Sequence, residues 1–245
     1  MTPFIAELLG TMLLILLGLG VVANVVLSKT KGNGSGAVLI TLAWGLAVYV
    51  GVVVAGPYSG AHLNPAVTIG LAIAGKFAWA KVLPFCIAQI IGAALGATMV
   101  AIMYIDHFKA TEDLNLKLGV FATGAEIRNV IPNFLSEAFG TFVLLLGVFY
   151  ISDLNIDTSL ASGVKIGLGS VGALPIALFV IAIGMSLGGT TGYAINPTRD
   201  LIPRLMHNIL PLGEKRDSDW GYAWIPLFGP LTGAAAAAGL FLAIG

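Results

Sequence analysis

The chain has 245 residues, of which 58% are hydrophobic and only 10% are charged. A soluble domain carries about 25% charged residues, so this composition excludes an ordinary soluble protein and indicates a single bundle of membrane spans. The twelve basic and twelve acidic residues cancel, which leaves no electrostatic reason to expect a nucleic acid or an acidic partner.

Six apolar runs are each long enough to cross a bilayer as a helix, which takes about 20 residues. A sheet would cross only as a closed barrel of strands with alternating apolar residues, and these runs do not alternate. We therefore predict an all-α membrane protein with six transmembrane helices, at approximately 4–27, 37–55, 82–105, 130–152, 171–187 and 222–244.

Two further apolar segments, 64–74 and 196–206, are too short to span a membrane. Each opens with Asn-Pro, which is typical of a helix start, because the asparagine can cap the helix and the proline loses no needed donor there. Each follows a stretch of small residues, 56–61 and 188–192, and such irregular backbone cannot lie against lipid. We predict two re-entrant half-helices that line a cavity or are buried in protein.

The sequence repeats itself at nearly one offset. Glu7 and Glu137 lie in similar segments, Ala-Glu-Leu-Leu-Gly-Thr and Ser-Glu-Ala-Phe-Gly-Thr, and the two Asn-Pro pairs begin at Asn64 and Asn196. Each repeat would hold three spans and one half-helix, and an odd number of crossings forces the repeats into opposite orientations. We predict a single channel domain over 1–245, with repeats at about 1–105 and 130–245 and a linker at about 106–129.

Half-helices that enter from opposite faces bring their N-termini together near the middle of the membrane. Each N-terminus carries about half an elementary positive charge, which repels cations, while Asn64 and Asn196 add amide donors at the same level. The extended backbone before each half-helix offers acceptors, and we expect this carbonyl ladder at Gly60, Ala61, His62, Tyr193, Ala194 and Ile195. The pattern predicts a passive pore for small uncharged solutes that carry hydroxyl groups.

The boxes Asn64-Pro65-Ala66 and Asn196-Pro197-Thr198 resemble the twin Asn-Pro-Ala boxes of the aquaporin, or major intrinsic protein, family. The resemblance covers essentially the whole chain, and the residues outside the boxes that share it are Glu7, Gln89, Gly92, Glu137 and the run 226–230. It implies the aquaporin-like inverted repeat, a homotetramer with one pore per subunit, and a place in the plasma membrane. We expect no cofactor, no bound metal and no enzymatic activity.

Alignment to this family assigns a selectivity filter near the outer mouth to Trp44, Gly184, Tyr193 and Arg199. Water-selective members usually carry histidine at the position of Gly184, where glycine would leave room for carbon. Trp44 and Tyr193 would form an apolar wedge opposite hydrogen-bond donors from Arg199. Together with Asp200 and the Pro-Leu pair at 226–227, this filter resembles the glycerol-conducting, aquaglyceroporin branch.

The resemblance also assigns Glu7, Glu137 and Asp200 as supports of the pore wall. Two residues depart from the pattern, since Thr198 replaces the alanine of the second box and Tyr193 stands where glycerol channels more often have phenylalanine. Three solute classes therefore stay open: glycerol and other small polyols with water, water alone, or lactic acid in its protonated form.

A coupled secondary transporter is the alternative from another class, because it also uses inverted repeats and broken helices. Coupling usually needs an ionisable group on the solute path, and the strong charge of the predicted filter, Arg199, is permanently protonated. His62 is expected to be a hydrogen-bonded loop residue, and His107 and His207 to be surface-loop residues. The loop charges do not decide the orientation in the membrane.

Overall fold

A computed structural model of the protein describes residues 1–151 and 168–245. In these ranges the regular structure is entirely helical, which confirms the predicted fold class, and six of the helical segments are long and apolar enough to cross a membrane. The helices are α1 Pro3–Val26, α2 Ala37–Ser59, α3 Pro65–Ile73, α4 Val82–Met103, α5 Ile105–Ala110, α6 Leu114–Phe121, α7 Val130–Tyr150, α8 Leu174–Leu187, α9 Pro197–Ile209 and α10 Trp224–Ile244.

The spans agree with the predicted runs, with one clear difference at the end of α2. This helix was expected to stop at 55, but it continues through Pro57 to Ser59 and ends where Gly60 adopts φ 85°. A proline inside a helix removes one backbone hydrogen bond without forcing an end when the surrounding packing holds the helix. The fifth span begins as a 3-10 turn, Gly169–Ala173, and the predicted end of the fourth span at Ser152 lies outside the described residues.

Two short helices, α5 and α6, occupy the segment between the repeats, where only a linker was predicted. Phe108 on α5 and Phe121 on α6 stack with ring centroids 5.5 Å apart, and both side chains are fully buried. The expectation that His207 is a surface-loop residue was wrong. His207 lies on α9, is fully buried, and its Nδ1 is 2.8 Å from the Ser218 hydroxyl.

Two close helix pairs, α1 with α4 and α7 with α10, form equivalent parts of the two repeats. Glycines allow the backbones to touch, because a Cβ added to Gly92 would lie 2.2 Å from the Leu8 carbonyl oxygen, and one added to Gly233 would lie 2.0 Å from the Ala138 carbonyl oxygen. Small residues at helix interfaces are the usual means of close packing in lipid, where hydrophobic association is weak.

The half-helices α3 and α9 tie the two repeats together. Helix α3 follows α2 in the chain yet packs against α10 and α4, while α9 packs against α4, α10 and α6. Each half-helix begins near the centre of the bundle and runs outward, α3 towards the side that holds the chain termini and α9 towards the opposite side. We call the pore opening on the α9 side the outer mouth.

The Gly92 contact predicts that Gly92→Ala destabilises the protein by about 1–3 kcal/mol, because the new methyl group forces α1 and α4 apart. Gly20→Ala on α1 is the matched control, since no described atom lies within 4 Å of its added Cβ. That change should be neutral or stabilising, because alanine favours a helix over glycine. The midpoint of thermal unfolding in detergent measures both, and equal midpoints would contradict the close packing.

Candidate functional site: the pore between the half-helices

A cavity of about 80 Å³ lies between the two repeats and contains the starts of both half-helices. One part of its wall is backbone and polar side chains from the two Asn-Pro boxes and the segments before them. The rest is apolar and is formed by Trp44 and by the aliphatic side chains of Leu14, Val48, Val52, Val67, Leu144, Val148, Ile176 and Val180. The channel wall is therefore two-sided in origin, with polar groups from the two box segments and apolar side chains mainly from α1, α2, α7 and α8.

The two box asparagines join the half-helices at the centre of this cavity. Asn64 Nδ2 donates to the Ile195 carbonyl at 2.8 Å, and Asn196 Nδ2 donates to the Leu63 carbonyl at 2.9 Å. Each amide oxygen caps its own helix; Asn64 Oδ1, for example, accepts a hydrogen bond from the Ala66 N–H at 2.8 Å. A side-chain amide has two N–H donors, so one donor of each asparagine remains for the cavity that both residues line.

The second box is capped in the same way. Asn196 Oδ1 accepts from the N–H groups of Thr198 at 3.1 Å and Arg199 at 3.2 Å. Pro65 and Pro197 occupy the first helical positions, as the Asn-Pro pattern predicts. Thr198 is only 3% exposed and is not among the described residues that line the cavity, so its departure from alanine adds buried packing volume rather than a pore-lining hydroxyl.

The backbone before each half-helix adopts the same left-handed turn in both repeats. Gly60 and Gly192 have φ of 85° and 82°, Leu63 and Ile195 have 52° and 44°, and Ala61 and Tyr193 also have positive φ. Left-handed conformations cost roughly 1–2 kcal/mol for a residue with a side chain. Backbone strain of this kind persists only where the surroundings fix it, and it is concentrated at functional sites.

Glu7 fixes the first of these segments. Its carboxylate is fully buried and accepts from the Ser59 hydroxyl at 2.7 Å, the His62 N–H at 2.9 Å, the Leu63 N–H at 2.8 Å and the Gln89 amide at 2.8 Å. Four donors satisfy both oxygens of the carboxylate without a cation. Glu7 does not line the cavity and bonds this segment from behind, which is the geometry expected of the predicted support.

Glu137 holds the second segment in the same way. It is fully buried and accepts from the Thr191 hydroxyl at 2.7 Å, the Ala194 N–H at 3.0 Å and the Ile195 N–H at 2.8 Å. Because these N–H groups point away from the pore to the carboxylate, the strained backbone presents its other edge to the cavity. Of the six residues predicted for the carbonyl ladder, all but Gly60 line the cavity.

His62 lies at the inner end of the cavity as a hydrogen-bonded residue. Its Nδ1 is 3.1 Å from the Thr68 hydroxyl oxygen, and Thr68 in turn donates to the Asn64 carbonyl, so the Thr68 oxygen accepts from the imidazole. The ring also packs against Phe77 and Phe85, with centroids 4.5 and 4.9 Å away. This arrangement fixes the orientation of the ring beside the pore.

Three of the four predicted filter residues, Trp44, Tyr193 and Arg199, meet in the outer half of the cavity. The Arg199 guanidinium lies 4.1 Å from the centroid of the Trp44 ring, which orients it through a cation–π contact. Arg199 Nη1 is buried and has no hydrogen-bond partner among the described residues. Arg199 also lines the cavity, so its guanidinium is a cationic donor group on the pore wall whose donors are not all used within the described residues.

Gly184, the fourth predicted filter residue, is buried, does not line the cavity and lies against the Tyr193 ring. A Cβ added to Gly184 would lie 2.8 Å from Tyr193 Cζ and 2.6 Å from Thr41 Cγ2, and one added to Gly188 would lie 2.4 Å from Tyr193 Cδ1. The tyrosine ring therefore packs against two glycines one turn apart, Gly184 in the last turn of α8 and Gly188 just after it. Sequence analysis placed Gly188 only in the small-residue stretch 188–192 and did not single out Thr41, because the packing around Tyr193 leaves no pattern in the sequence.

Comparison with known proteins identifies the family. The model of the family described as major intrinsic protein matches residues 1–241. The chain belongs to the major intrinsic protein family. A relative from Thermotoga maritima, named probable glycerol uptake facilitator protein, is 51% identical over 241 residues and is covered to 98% in both chains.

Two other relatives cover nearly the whole chain. A protein from Lactiplantibacillus plantarum, named D/L-lactic acid transporter, is 39% identical over 238 residues, with 96% of this chain and 94% of the relative covered. The X-ray structure of the aquaglyceroporin from Plasmodium falciparum is 30% identical, covers 98% of this chain and 95% of that one, and superposes with a TM-score of 0.81. The chain is a multi-pass protein of the plasma membrane and forms a passive channel of the aquaporin fold.

The carboxylate supports can be tested by Glu137→Gln. The new amide places an N–H₂ group against backbone N–H donors, and leaving a buried donor unsatisfied costs about 1–3 kcal/mol. We expect a lower thermal midpoint and a loss of most solute flux in proteoliposomes. Glu126→Gln, at an exposed position of the outer loop, is the control, and equal flux from both variants would contradict the supporting role of Glu137.

Proposed function

We propose that this protein conducts glycerol and other small polyols, together with water, down their concentration gradients. The observation that carries the proposal is the two-sided wall of the pore, with aliphatic side chains along one edge and the two Asn-Pro boxes along the other. A polyol has the same two-sided form, because its hydroxyl groups and its carbon backbone face different directions. The relative from Thermotoga maritima, named a probable glycerol uptake facilitator protein, supports this solute class.

The filter residues fit the roles that this solute requires. Trp44 and Tyr193 offer aromatic surface to carbon, while Arg199, a cation on the same part of the cavity wall, offers guanidinium donors to hydroxyl oxygens. At the centre, the remaining N–H groups of Asn64 and Asn196 also offer hydrogen-bond donors to hydroxyl oxygens. A solute would exchange hydrogen bonds with water for hydrogen bonds with fixed donors and acceptors along the same edge, which keeps the barrier to entry low.

Charge favours neutral solutes over ions. The N-termini of α3 and α9 place two partial positive charges at the centre, and Arg199 adds a full charge near the outer mouth. The carboxylates of Glu7 and Glu137 are occupied by hydrogen bonds behind the pore wall. A proton-coupled or cation-coupled transporter would need an ionisable group on the solute path, and no carboxylate among the described residues lines the cavity. These observations therefore favour a channel over a coupled transporter.

The main test is stopped-flow light scattering of proteoliposomes challenged with glycerol, larger polyols, urea and an osmotically matched impermeant solute. We expect glycerol and water to enter far faster than in empty liposomes, with no electrical current. Glycerol entry at the rate of empty liposomes, with rapid water flux, would reject the polyol proposal in favour of a water channel. Cross-linking in the same vesicles would test our further proposal that the subunits form a homotetramer within the lipid bilayer.

The width of the filter can be tested at the contact between Gly184 and Tyr193. Gly184→Ala should push the Tyr193 ring towards the pore axis, since the added methyl group would lie within 2.8 Å of that ring, and an atom pair that close must separate. We expect glycerol flux to fall about tenfold or more while water flux falls less. Gly189→Ala, with no described atom within 4 Å of its added Cβ, is the control; an unchanged glycerol-to-water ratio for Gly184→Ala would contradict this placement of the filter.

A second candidate solute is lactic acid, in its neutral form. It is favoured by the relative from Lactiplantibacillus plantarum, which is 39% identical and is named D/L-lactic acid transporter. The protonated acid presents a hydroxyl, a carboxyl and a methyl group, which match the two-sided wall. The anion would meet a weakly favourable centre but would lose its hydration in a narrow pore that is apolar along one edge, and desolvating a charge is costly.

This candidate predicts a pH dependence of flux. Uptake of labelled lactic acid should rise as the external pH falls towards the pKa of the acid, because the neutral fraction rises, while glycerol uptake should stay nearly constant. Tracer uptake over a pH series, with empty liposomes subtracted for diffusion through the bilayer, measures both. Uptake proportional to the anion concentration would contradict a pore for neutral molecules.

A further inference from the structure

A second arginine lies five residues beyond Arg199 and has the opposite environment. Arg204, on α9, is fully buried, and all five of its N–H donors have acceptors among the described residues. Nε donates to Asp200 Oδ1 at 2.8 Å. Nη2 donates to Asp200 Oδ2 at 3.1 Å and to the Thr123 carbonyl at 2.8 Å. Nη1 donates to the carbonyls of Ser218 at 2.8 Å and Asp219 at 3.0 Å. A guanidinium with no donor left does not bind solute; it holds three segments together.

Asp200 is the other half of this buried ion pair. Its carboxylate is fully buried and accepts from Arg204 and from both the N–H and the hydroxyl of Thr123, each at 2.7 Å. A buried ion pair is stable only when its remaining donors and acceptors are satisfied, and here four donors serve the two carboxylate oxygens. The charge of Arg204 therefore stays inside the protein instead of adding to the field of the pore.

Thr123 belongs to the outer segment between the repeats, just after α6, and it contacts the filter by two routes. Through Asp200 it is bonded to the residue that follows Arg199 in the first turn of α9. It also lies beside the filter backbone, since a Cβ added to Gly192 would reach van der Waals distance, 3.5 Å, of Thr123 Cβ and Cγ2. Gly192 immediately precedes Tyr193, so one threonine is bonded to the residue after Arg199 and lies next to the backbone that carries Tyr193.

We infer that Thr123, Asp200 and Arg204 form an outer clamp that positions Arg199 and Tyr193, so that the outer segment between the repeats sets how strictly the filter discriminates solutes by size. Thr123 is a positioning residue in this inference, because it lies behind the pore and does not line the cavity. The inference rests on the proposed function for the choice of solutes. It adds that selectivity depends on residues outside the filter, in a segment that contains neither Asn-Pro box.

The test removes one hydrogen bond of the clamp without breaking the ion pair. Thr123→Val keeps the side-chain shape and the backbone N–H to Asp200 but loses the hydroxyl donor. The matched control is Thr111→Val in the same outer segment. Thr111 is also almost fully buried; its hydroxyl donates to the His107 carbonyl at 2.7 Å and accepts from the Ser28 N–H at 2.9 Å, and neither partner lies on α9. Thr123→Ser, which retains the hydroxyl, tests for rescue.

The readout is the ratio of glycerol flux to the flux of a four-carbon polyol in proteoliposomes. We expect Thr123→Val to lower this ratio about threefold to fivefold, the change that corresponds to one hydrogen bond, while Thr111→Val and Thr123→Ser keep the wild-type ratio. Equal ratios for Thr123→Val and Thr111→Val would overturn the inference, as would a change that follows thermal stability across the three variants. If Thr123→Val does not fold, Thr123→Ala replaces it in the same comparison.

Failure of the proposed function gives a different result. It would appear in the wild-type protein as glycerol flux no faster than in empty liposomes. The clamp would then be tested with water and the smallest solute that the wild-type channel conducts, using the same three variants. A ratio that shifts only in Thr123→Val would support the clamp for that solute pair, and an unshifted ratio would overturn it.

Discussion

Two reciprocal hydrogen bonds at the centre of the membrane, from Asn64 to the Ile195 carbonyl and from Asn196 to the Leu63 carbonyl, join the two halves of the pore. A helix that begins inside a bilayer leaves backbone donors and acceptors that neither water nor lipid can satisfy. Each asparagine answers this requirement for both halves, since its oxygen caps its own helix and its nitrogen binds the opposite segment. The remaining amide donors can serve a solute only because these bonds hold them in place.

The features that depend on the membrane itself could be predicted from the sequence. Long apolar runs must become helices in lipid, and two Asn-Pro starts after small residues must be buried, so six spans and two half-helices follow from length and composition. The end of α2 at Ser59, the short helices α5 and α6, and the burial of His207 could not be predicted in this way. They depend on packing between distant segments, for which a single sequence carries no periodic signal.

The pore residues likewise divide into those that could be predicted from the sequence and those that depend on packing. The boxes and Arg199 belong to a motif and could be assigned from the resemblance, whereas the seat of Tyr193 on Gly184 and Gly188 depends on a contact between α8 and the loop before α9. Arg199 and Arg204 illustrate this difference between motif and contact within a single residue type. They lie five positions apart, and only the number of satisfied donors, which the sequence does not display, separates the arginine beside the pore from the arginine inside the protein.

The proposed filter residues lie near one mouth, although the scaffold around them is duplicated and inverted. A pore without a coupled ion or a chemical step has no source of free energy, so microscopic reversibility requires a filter at one mouth to limit entry and exit by the same factor. The asymmetry of the filter therefore cannot give the channel a direction. Net uptake of a solute would come from reactions in the cell that consume it, and the rate of those reactions would decide how much of the pore's capacity is used.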